Sequence, residues 1–522
     1  MRSLMNGAHA LLATLQENGV NVCFANPGTS EMHFVAALDD AAKMRAILCL
    51  FEGVATGAAD GYGRVRGTPA ATLLHLGPGL GNGWANLHNA RRARTPLINI
   101  VGDHATYHAV YDAPLQSNIE ELARPLEGWF RRSTSSSAIA GDTAAAVVAS
   151  YGPPGCVATL VLPADVSWSE VPTESLIVNA TTPATPLPFD DVALASALVA
   201  LGSKRCALLV GGQALTKANL ELAQRVARAT KSKLLMETFP AIMDRGANVA
   251  SPERLIYVSE FALDQLKNCD AVILLGAREP VGFFAYPSVP SRLVSESSEL
   301  IDVAPPGSNV SGALEMLVDA LRAPGLSAEN GERPTAPVGD LTTQSFATAV
   351  GATLPEDVIV ADESNTSGVA LFGATRFAPE HRWMTLTGGA IGYGLPVAVG
   401  AAVGSGRRVL ALESDGSMMY TLQALWTMAR EGLDITVVGL SNRSYAVLNF
   451  ELTRVGATSQ SSTSARMLEL DDPTLDLAGL ARAQGVPSVR VSTAEELVTA
   501  LERSYATPGP MFIEAVLPKG LH

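Results

Sequence analysis

Short runs of aliphatic and β-branched residues recur along this chain and alternate with longer stretches of helical pattern. Eleven such runs are AILCLF at 46–51, AATLLHL at 70–76, PLINIVG at 96–102, VATLVLP at 157–163, CALLVGG at 206–212, SKLLMET at 232–238, DAVILLG at 270–276, DVIVADE at 357–363, RVLALES at 408–414, DITVVGL at 434–440 and PMFIEAVL at 510–517. Strands that alternate with helices build βαβ units, in which the strands lie parallel. The sequence therefore predicts an α/β fold with mostly parallel sheets.

Two stretches interrupt this alternation and are rich in Pro, Thr, Ser and Gly. They are NATTPATPLPFD at 179–190 and APGLSAENGERPTAPVGD at 323–340, and their composition is typical of linkers. They divide the 522 residues into the segments 1–178, 190–325 and 340–522, each with its own series of strands. Because a chain of this length is expected to form about three domains, we predict three stacked α/β domains.

Charge and cysteine content exclude several classes of function. The net charge of −14 opposes binding to a phosphate backbone, so we expect no nucleic-acid partner. The most apolar later run, 390–403, contains Pro396 and is too short to span a bilayer, and no signal peptide is recognisable at the N-terminus. The cysteines are odd in number and form no CxxC pair, which favours free thiols in the cytoplasm over zinc or a redox pair: Cys23, Cys49, Cys156, Cys206 and Cys269.

Ligands of open α/β sheets bind beyond the carboxyl ends of the strands, so the turns after the predicted strands are the places to search. Asp415 follows RVLALES, and Asn442 follows DITVVGL by two residues. Their side-chain oxygens, with a backbone carbonyl near Ser444, form a ligand set that suits Mg²⁺. The alternative is a pair of ordinary turns, since Asp, Asn, Gly and Ser dominate turns.

A second strand end carries Glu52, which opens a predicted helix directly after AILCLF. Taken alone, it is readily explained as an acidic residue in the first turn of a helix, where the helix dipole favours it. Together with the Asp415 and Asn442 turns, it resembles the pattern of thiamine-diphosphate enzymes, in which GDG is followed by NN or N. Ser414 and Ser441 stand where that family usually has its first Gly and first Asn.

The resemblance implies a role for each of these residues. Glu52 matches the glutamate that protonates the aminopyrimidine ring and so lets the cofactor lose its C2 proton, while Gly416 and Ser417 follow the metal ligand Asp415 and match the cofactor-binding part of the motif. In LTGGAIGYGLP at 386–396, the Gly389 carbonyl should accept from the 4′-amino group and Ile391 should hold the cofactor bent.

A further segment, DESNTSG at 362–368, resembles the stretch that contacts the diphosphate. We select Asn365 and Thr366 as the contact residues. The alternative is a cluster of polar residues that caps a helix.

Two loops of the first segment match those that face the thiazolium in this superfamily: NPGTSE at 26–31, with Asn26, Gly28 and Thr29, and HLGPGLGN at 75–82. Benzoylformate decarboxylases have a histidine at the position of His75 and a serine at that of Thr29, and such a histidine can transfer a proton to the reaction intermediate. The alternative is an interior, hydrogen-bonded histidine. His104 and His108 are weaker candidates, and the second active-site histidine of those decarboxylases has no match in 279–286.

Over nearly its whole length the chain resembles bacterial acetolactate synthase-like large subunits, through NPGTSEMHF, LFEGVATGAADGYGR, LLHLGPGLGN, GDHATYH and FFAYP. The resemblance implies decarboxylation of a 2-oxo acid with thiamine diphosphate and Mg²⁺, followed by ligation to an aldehyde or a second 2-oxo acid. Two alternatives stay open: release of an aldehyde, and a silent paralogue without turnover. FAD, which acetolactate synthases bind, is left open because Gly211-Gly212-Gln213 is only a short turn.

The resemblance also implies an assembly. In this superfamily the pyrimidine-binding domain of one chain faces the diphosphate-binding domain of another. We therefore expect a homodimer or homotetramer in which Glu52 of one chain meets Asp415 of its partner.

Overall fold

A computed structural model of the chain describes residues 5–172, 177–179, 185–325, 331–457 and 461–520. Parts of both predicted linkers, 180–184 and 326–330, lie outside these ranges, and the described remainder of both stretches contains neither helix nor strand. The described residues form three sheets flanked by helices.

The first sheet has six parallel strands in the order β2-β1-β3-β4-β6-β5. The strands are β1 (Val22–Asn26), β2 (Arg45–Leu48), β3 (Ala70–Leu74), β4 (Leu97–Asp103), β5 (Phe130–Arg132) and β6 (Val157–Pro163). The helices of this part are α1 (Gly7–Glu17), α2 (Met32–Ala37), α3 (Glu52–Arg66), α4 (Leu76–Ala93), α5 (Ile119–Ala123), α6 (Ile139–Tyr151) and α7 (Ala164–Trp168).

The second sheet has five parallel strands in the order β10-β8-β7-β11-β12. They are β7 (Cys206–Val210), β8 (Lys233–Met236), β10 (Glu253–Arg254), β11 (Ala271–Leu275) and β12 (Glu299–Ala304). The strand β9 (Met243–Arg245) lies between β8 and β10 in the sequence but belongs to the third sheet. The helices here are α8 (Asp191–Ser203), α9 (Lys217–Thr230), α10 (Ser259–Leu266) and α11 (Val310–Leu321).

The third sheet has seven strands in the order β17-β18-β16-β15-β13-β14-β9. Its own strands are β13 (Ile359–Glu363), β14 (His381–Thr385), β15 (Val409–Ser414), β16 (Ile435–Ser441), β17 (Ser488–Val491) and β18 (Met511–Val516). The helices are α12 (Thr343–Thr353), α13 (Leu371–Ala374), α14 (Gly394–Ser405), α15 (Asp415–Met418), α16 (Ala424–Glu431), α17 (Ala446–Arg454), α18 (Ser462–Arg466), α19 (Leu477–Ala483) and α20 (Ala494–Ala506).

All eleven runs identified in the sequence contain strands, and the prediction of mostly parallel sheets is confirmed. The central strands are buried on both faces, which explains why they consist of continuous aliphatic runs rather than alternating ones. Among the paired strands of the described residues, one pair is antiparallel and joins β9 to β14. That strand lies within the predicted segment 190–325 but completes the sheet of the segment 340–522, and the boundaries drawn from the linkers stay predictions.

The first and third sheets share one strand order, since 2-1-3-4-6-5 and 14-13-15-16-18-17 describe the same path. In each, the chain turns to opposite sides of the first strand, which creates a crevice at the carboxyl ends of two neighbouring strands. These crevices lie between β1 and β3 and between β13 and β15. Both therefore lie where the sequence placed candidate site residues.

Helices α3 and α14, which follow equivalent strands of these two sheets, pack directly on each other. Methyl groups added at Gly61 of α3 or Gly400 of α14 would overlap the backbone of the facing helix, at Val397 and Ala58 respectively. Glycine at these two positions lets the helices approach closely. The contact joins the first and third parts of the chain.

Two further findings concern the whole molecule. Among the described residues, no helix combines the length and the apolar character needed to cross a membrane. The five cysteines are free thiols, of which Cys156 is half-buried and the others are buried.

Candidate active site

Residues after β1 and β3 meet at the crevice of the first sheet. Asn26 ends β1 and pairs with Leu74 of β3, so the turn at Gly28 lies beside His75, the residue that precedes α4. A methyl group at Gly28 would overlap the imidazole ring of His75. The structure thus brings Gly28 and His75 together, whereas Thr29 is exposed at the start of a short 3-10 helix, Thr29–Glu31.

Glu31, to which the sequence patterns assigned no role, holds His75 in place. Its side chain is fully buried, and Oε2 accepts from the Gly28 N–H (2.7 Å) and from Nδ1 of His75 (2.8 Å). Burial raises the pKa of Glu31, and the charge of His75 opposes that rise. Because the carboxylate holds the Nδ1 proton, Nε2 is left as the nitrogen that can exchange a proton with a ligand.

The backbone around this pair is shaped to fit it. Leu76 has φ of 53, a left-handed conformation that is costly for a residue with a branched side chain and recurs at functional sites. A methyl group at Gly102 of β4 would overlap Oε1 of Glu31, so only glycine accommodates the buried carboxyl at this point. An acidic residue three positions after the Gly28 turn was the signal in the sequence.

Glu52 opens α3 and is 6% exposed. Its Oε2 accepts from Nδ2 of Asn82 (3.0 Å). Asn82 belongs to the HLGPGLGN segment, which was predicted as a loop but forms the start of α4 from Leu76 onward. No ion pair to Glu52 occurs among the described residues. A buried carboxyl that has an amide neighbour and no cation is suited to exchanging a proton with a bound ring.

His104 and His108 lie beyond β4, with ring centroids 5.4 Å apart. The N–H of His104 donates to Asp103 (2.8 Å), and burial, with charge on His108 and His75, lowers the pKa of His104. Neither ring is hydrogen-bonded to His75 among the described contacts. They stay secondary to the Glu31–His75 pair.

The predicted metal ligands meet at the third sheet. Asp415 and Asn442 are 3% and 4% exposed and follow the neighbouring strands β15 and β16. Oδ1 of Asp415 accepts from the Gly416 N–H (2.8 Å) and Oδ2 from the Arg443 N–H (2.7 Å). Oδ1 of Asn442 accepts from the Ser444 N–H (3.0 Å), which places buried Ser444 in the same turn.

This arrangement fits a divalent cation that is shared with a ligand. Burial raises the pKa of Asp415, while backbone N–H groups lower it, and the described ion pairs give this carboxyl no cation. In the part of the chain that the structure describes, no group of three His, Cys, Asp or Glu side chains is arranged so that it could hold a metal ion by itself. Oxygen atoms from outside the protein, such as those of a diphosphate, would have to complete the coordination of Mg²⁺.

Asn365 connects the two strands that border the crevice of the third sheet. Its Nδ2 donates to the hydroxyls of Ser417 (3.0 Å) and Ser414 (3.2 Å) and to the carbonyl of Glu363 (3.1 Å). Ser414 also donates to the Glu363 carbonyl (3.1 Å), so the serine that departs from the family pattern has a structural role here. Thr366 is half-buried in the same 3-10 helix, Asn365–Gly368.

Glycine is required at the turn that carries the predicted ring contacts. Gly389 and Gly392 have φ of 72 and 88, which only glycine adopts at little cost. Ile391 is half-buried between them. Similarly, a methyl group at Gly416 would lie 2.5 Å from the ring of Tyr445.

A second buried acid that sequence reasoning left without a role, Glu363, fixes this turn. Its carboxylate accepts from the N–H groups of Gly392 (2.8 Å), Tyr393 (2.8 Å) and Gly394 (2.7 Å). Burial raises the pKa of Glu363 to about 7, and the buried Glu413 lies beside it with its own pKa raised well above the usual value. Three donors on one carboxylate hold the turn that precedes α14 rigidly against β13.

Several side chains connect the first and third parts of the site within the chain, among them the amides of Asn86 and Asn89. Nδ2 of Asn86 donates to the carbonyls of Gly53 (2.9 Å) and Gly392 (3.1 Å). The described side-chain contacts of Glu52 stay within α4 and do not reach Asp415. The two parts are therefore adjacent within the chain, while no hydrogen bond or ion pair joins the Glu52 and Asp415 carboxyls among the described residues.

The Gly211 turn of the second sheet is occupied by the chain itself. The N–H of Gly212 donates to Glu237 (3.0 Å), a carboxyl whose pKa is raised by burial and lowered by Arg94, Arg278 and Arg92. Because a carboxylate already accepts this N–H, it is not open to the diphosphate of a flavin.

Comparison with known proteins decides the family. The model of the "Thiamine pyrophosphate enzyme, N-terminal TPP binding domain" matches residues 5–123, and that of the C-terminal TPP binding domain matches residues 364–515. A protein of Mycobacterium tuberculosis, described as "Putative acetolactate synthase large subunit IlvX", is 52% identical over 518 residues, 98% of this chain and 99% of its own length. The chain belongs to the thiamine pyrophosphate enzymes.

Other members of this family are similar at lower identity. Benzoylformate decarboxylase of Pseudomonas aeruginosa is 27% identical over 550 residues, which cover 96% of each chain. The solved thiamine diphosphate-dependent 4-hydroxybenzoylformate decarboxylase of Rhodococcus jostii RHA1 superposes with a TM-score of 0.85 at 22% identity, covering 99% of this chain and 100% of that one. The latter likeness shows the fold, and it confirms the predicted architecture of three α/β domains.

The two matched regions contain all the predicted site residues of this thiamine pyrophosphate enzyme. Those of the pyrimidine side lie within 5–123, and those of the diphosphate side lie within 364–515. The resemblance drawn from the motifs is therefore confirmed at the level of the family, while the role of each residue stays a prediction.

Proposed function

We propose that this enzyme decarboxylates a 2-oxo acid with thiamine diphosphate and Mg²⁺ and releases the corresponding aldehyde. The observation that supports aldehyde release is the pair of buried Glu31 and half-buried His75, which presents Nε2 of a histidine at the crevice of the first sheet. When bound, thiamine diphosphate supplies the stabilisation of negative charge that loss of CO₂ from a 2-oxo acid requires. The net reaction converts the 2-oxo acid and one proton into CO₂ and an aldehyde.

Each site residue has its own proposed role in this reaction. Glu52 would hold a proton for the pyrimidine ring of the bound cofactor, and Asn82 keeps its carboxyl oriented. His75 would deliver the proton that replaces CO₂ on the substrate from Nε2, while Glu31 keeps its ring fixed through Nδ1. Asp415 and Asn442 would bind Mg²⁺, and Asn365 and Ser417 line the crevice where the diphosphate would bind.

Ligation to a second carbonyl compound is the second candidate function. It is supported by the 52% identical relative, which is described as a putative acetolactate synthase large subunit. The two candidates share the decarboxylation step and differ in what reaches the reactive carbon next, a proton from His75 or an aldehyde or 2-oxo acid.

Product analysis separates the candidates. The full-length protein is incubated with thiamine diphosphate, Mg²⁺ and a single 2-oxo acid, and CO₂, aldehyde and 2-hydroxyketone or acetohydroxy acid are quantified by mass spectrometry. We expect one aldehyde per CO₂. The variant His75→Gln should lower the rate of aldehyde formation about 100-fold, whereas the control His108→Gln, at an exposed position, should leave it within twofold of wild type.

Three outcomes would contradict the proposal in whole or in part. A ligated product in place of aldehyde would establish the second candidate function. Unchanged aldehyde formation by His75→Gln would remove His75 from the proton transfer. If no 2-oxo acid were consumed although the protein bound thiamine diphosphate and Mg²⁺, the chain would be a silent paralogue.

We further propose that the functional unit is at least a homodimer, in which Glu52 of one protomer faces the Asp415 turn of the other. Its support is that the Glu52 carboxyl makes no described contact with the third sheet of its own chain. A cofactor that needs both groups would then bind between two protomers.

A further inference from the structure

Helix α4 belongs to the first part of the chain, yet its side chains contact the turn of the third part that carries the predicted contacts to the cofactor ring. This turn, residues 388–392, is here called the ring turn. Three donors of α4 each bind one of its carbonyls: Nε2 of His88 binds that of Gly388 (3.2 Å), Nδ2 of Asn89 that of Ala390 (2.8 Å) and Nδ2 of Asn86 that of Gly392 (3.1 Å). Every second carbonyl of the ring turn is therefore held by α4.

The two intervening carbonyls, those of Gly389 and Ile391, are not bound by α4. Among the hydrogen bonds of the described residues, neither of these carbonyls has a donor. Gly389 is exposed, and a methyl group at this position would overlap the tip of the Phe283 ring, so the turn is closely bordered on that side. The Gly389 carbonyl is thus an open acceptor in a turn whose neighbouring carbonyls are occupied.

Asn89 also fixes the direction of the Gly389 carbonyl. Oδ1 of Asn89 accepts from the N–H of Ala390 (3.3 Å), and this N–H belongs to the same peptide group as the Gly389 carbonyl. A trans peptide group is planar, with its N–H and its carbonyl on opposite sides, and this one is not among the cis peptide bonds of the chain. Because the N–H points to Asn89, the Gly389 carbonyl points away from α4.

The side chain of Asn89 is itself held in place. Asn89 is fully buried and Asn86 is 3% exposed. Nδ2 of Asn89 donates to Oδ1 of Asn86 (3.0 Å), whose own Nδ2 also donates to the Gly53 carbonyl beside Glu52 (2.9 Å). The backbone carbonyl of Asn89 accepts from the hydroxyl of Thr387, just before the ring turn (2.7 Å). A buried amide with this many partners is confined to one orientation.

We infer that Asn89, supported by Asn86, is a positioning residue that directs the Gly389 carbonyl to the 4′-amino group of thiamine diphosphate. The inference rests on the proposed function, which requires this cofactor. A hydrogen bond to an acceptor that is already fixed in direction costs less ordering than one to a free backbone. Asn89 therefore contributes to cofactor affinity without touching the cofactor.

The test compares the binding of cofactor analogues. The full-length protein in Mg²⁺ buffer is titrated calorimetrically with thiamine diphosphate, with its 4′-deamino analogue and with the analogue in which CH replaces N1′. The variant Asn89→Leu keeps the approximate volume of the side chain and removes its donor and its acceptor. The matched control is Asn99→Leu, since Asn99 is also fully buried in the first part of the chain and its amide is hydrogen-bonded to Thr72 (2.8 Å) and Thr159 (3.3 Å). Circular dichroism verifies that each variant is folded.

We expect the wild type to bind thiamine diphosphate about tenfold more tightly than the 4′-deamino analogue, a typical effect of one hydrogen bond whose loss leaves an acceptor unpaired. In Asn89→Leu this preference should fall to about twofold or less, because the direction of the Gly389 carbonyl is no longer fixed, while the control should keep the preference. The preference for N1′ should be the same in all three proteins, since it depends on Glu52, whose carboxyl is held by Asn82.

An unchanged preference for the 4′-amino group in Asn89→Leu overturns the inference, and so does a wild type that binds the 4′-deamino analogue as tightly as the cofactor. Equal loss of the 4′-amino and N1′ preferences also overturns it, because a general disturbance of the site would then explain both. If Asn89→Leu does not fold, His88→Leu replaces it, since half-buried His88 holds the peptide group on the other side of Gly389. Its preference should fall to about threefold, and an unchanged one overturns the inference.

Failure of the proposed function has a different signature. The wild type then binds thiamine diphosphate with the expected preference for the 4′-amino group but releases no CO₂ from any 2-oxo acid. A wild type that binds none of the three ligands would overturn both the function and the inference.

Discussion

The first and third sheets follow the same strand order, yet the residues at their carboxyl ends have different chemistry. At the crevice of the first sheet lie titratable side chains, His75 with Glu31 hydrogen-bonded to it and Glu52 at the start of α3. At the crevice of the third sheet lie carboxyl, amide and hydroxyl groups, with Asp415 and Asn365 as the central side chains. One topology thus supplies two different half-sites.

The comparison teaches that topology decides where a ligand binds and that the residue types decide what happens to it. The second sheet provides a counter-example, because its equivalent turn contacts another side chain of the same chain. Its equivalent turn, at Gly211 and Gly212, is engaged by Glu237 of the chain itself. Position at a strand end is therefore necessary for a site in this molecule but not sufficient.

Glu52→Gln tests whether the first half-site performs the proton chemistry. We expect turnover of a 2-oxo acid to fall between about 100-fold and 10,000-fold, the range typical of a lost general acid–base group, with thiamine diphosphate still bound. Steady-state release of CO₂ and calorimetric titration of the cofactor measure the two quantities. The control is Glu120→Gln, because Glu120 is also an acidic residue in the first turn of a helix, α5. If both changes had an equally small effect on turnover, Glu52 would not be the proton-exchanging group.

Asp415→Asn tests the half-site of the third sheet, and its main expected effect is on the affinity for the cofactor rather than on turnover with the cofactor bound. We expect the affinity for thiamine diphosphate in Mg²⁺ buffer to fall about 100-fold, because a metal ligand is worth at least as much as the groups that orient it. Calorimetric titration with the cofactor at fixed Mg²⁺ measures this. Asp476→Asn, at the N-cap of α19 in the same part of the chain, should bind normally. Unaltered affinity of the Asp415 variant would show that the metal is held elsewhere.

A mixed dimer asks whether the half-sites that work together belong to one chain or two. A heterodimer of Glu52→Gln and Asp415→Asn chains, purified with two tags, should regain about half of the wild-type rate, since one of its two symmetric sites is then intact. Both homodimers serve as inactive references. An inactive heterodimer would place the complete site within a single chain.

Gly400→Ala probes the helix contact between the two parts of the chain and has the smallest expected effect. The added methyl group would overlap the Ala58 carbonyl of α3, and overpacking of this kind costs about 1–3 kcal/mol. We expect a lower Tm in a thermal melt. Gly202→Ala on α8, where no atom lies within 4 Å of the added group, should leave Tm unchanged or raise it slightly. Equal shifts for both variants would argue against close packing of α3 and α14.

Much of the site could be predicted because strand ends are local in sequence. Glu52, His75, Asp415 and Asn442 each follow a recognisable aliphatic run, and the parallel sheets place their ends at one edge. Glu31 could not be assigned a role, because α2, β2, α3 and β3 separate it in sequence from its partner His75. Only the pairing of β1 with β3 brings the two together.

The sequence by itself determined the α/β fold, its parallel strands and the positions of the proton-exchanging and oxygen-bearing side chains, since each depends on patterns within about twenty residues. Tertiary structure alone decided which groups touch: the contact of Glu31 with His75, the three donors on Glu363, the pairing of β9 with the third sheet and the position of Phe283 against Gly389. The physical reason is that these contacts join segments far apart in the chain, and their formation depends on how whole sheets and helices pack.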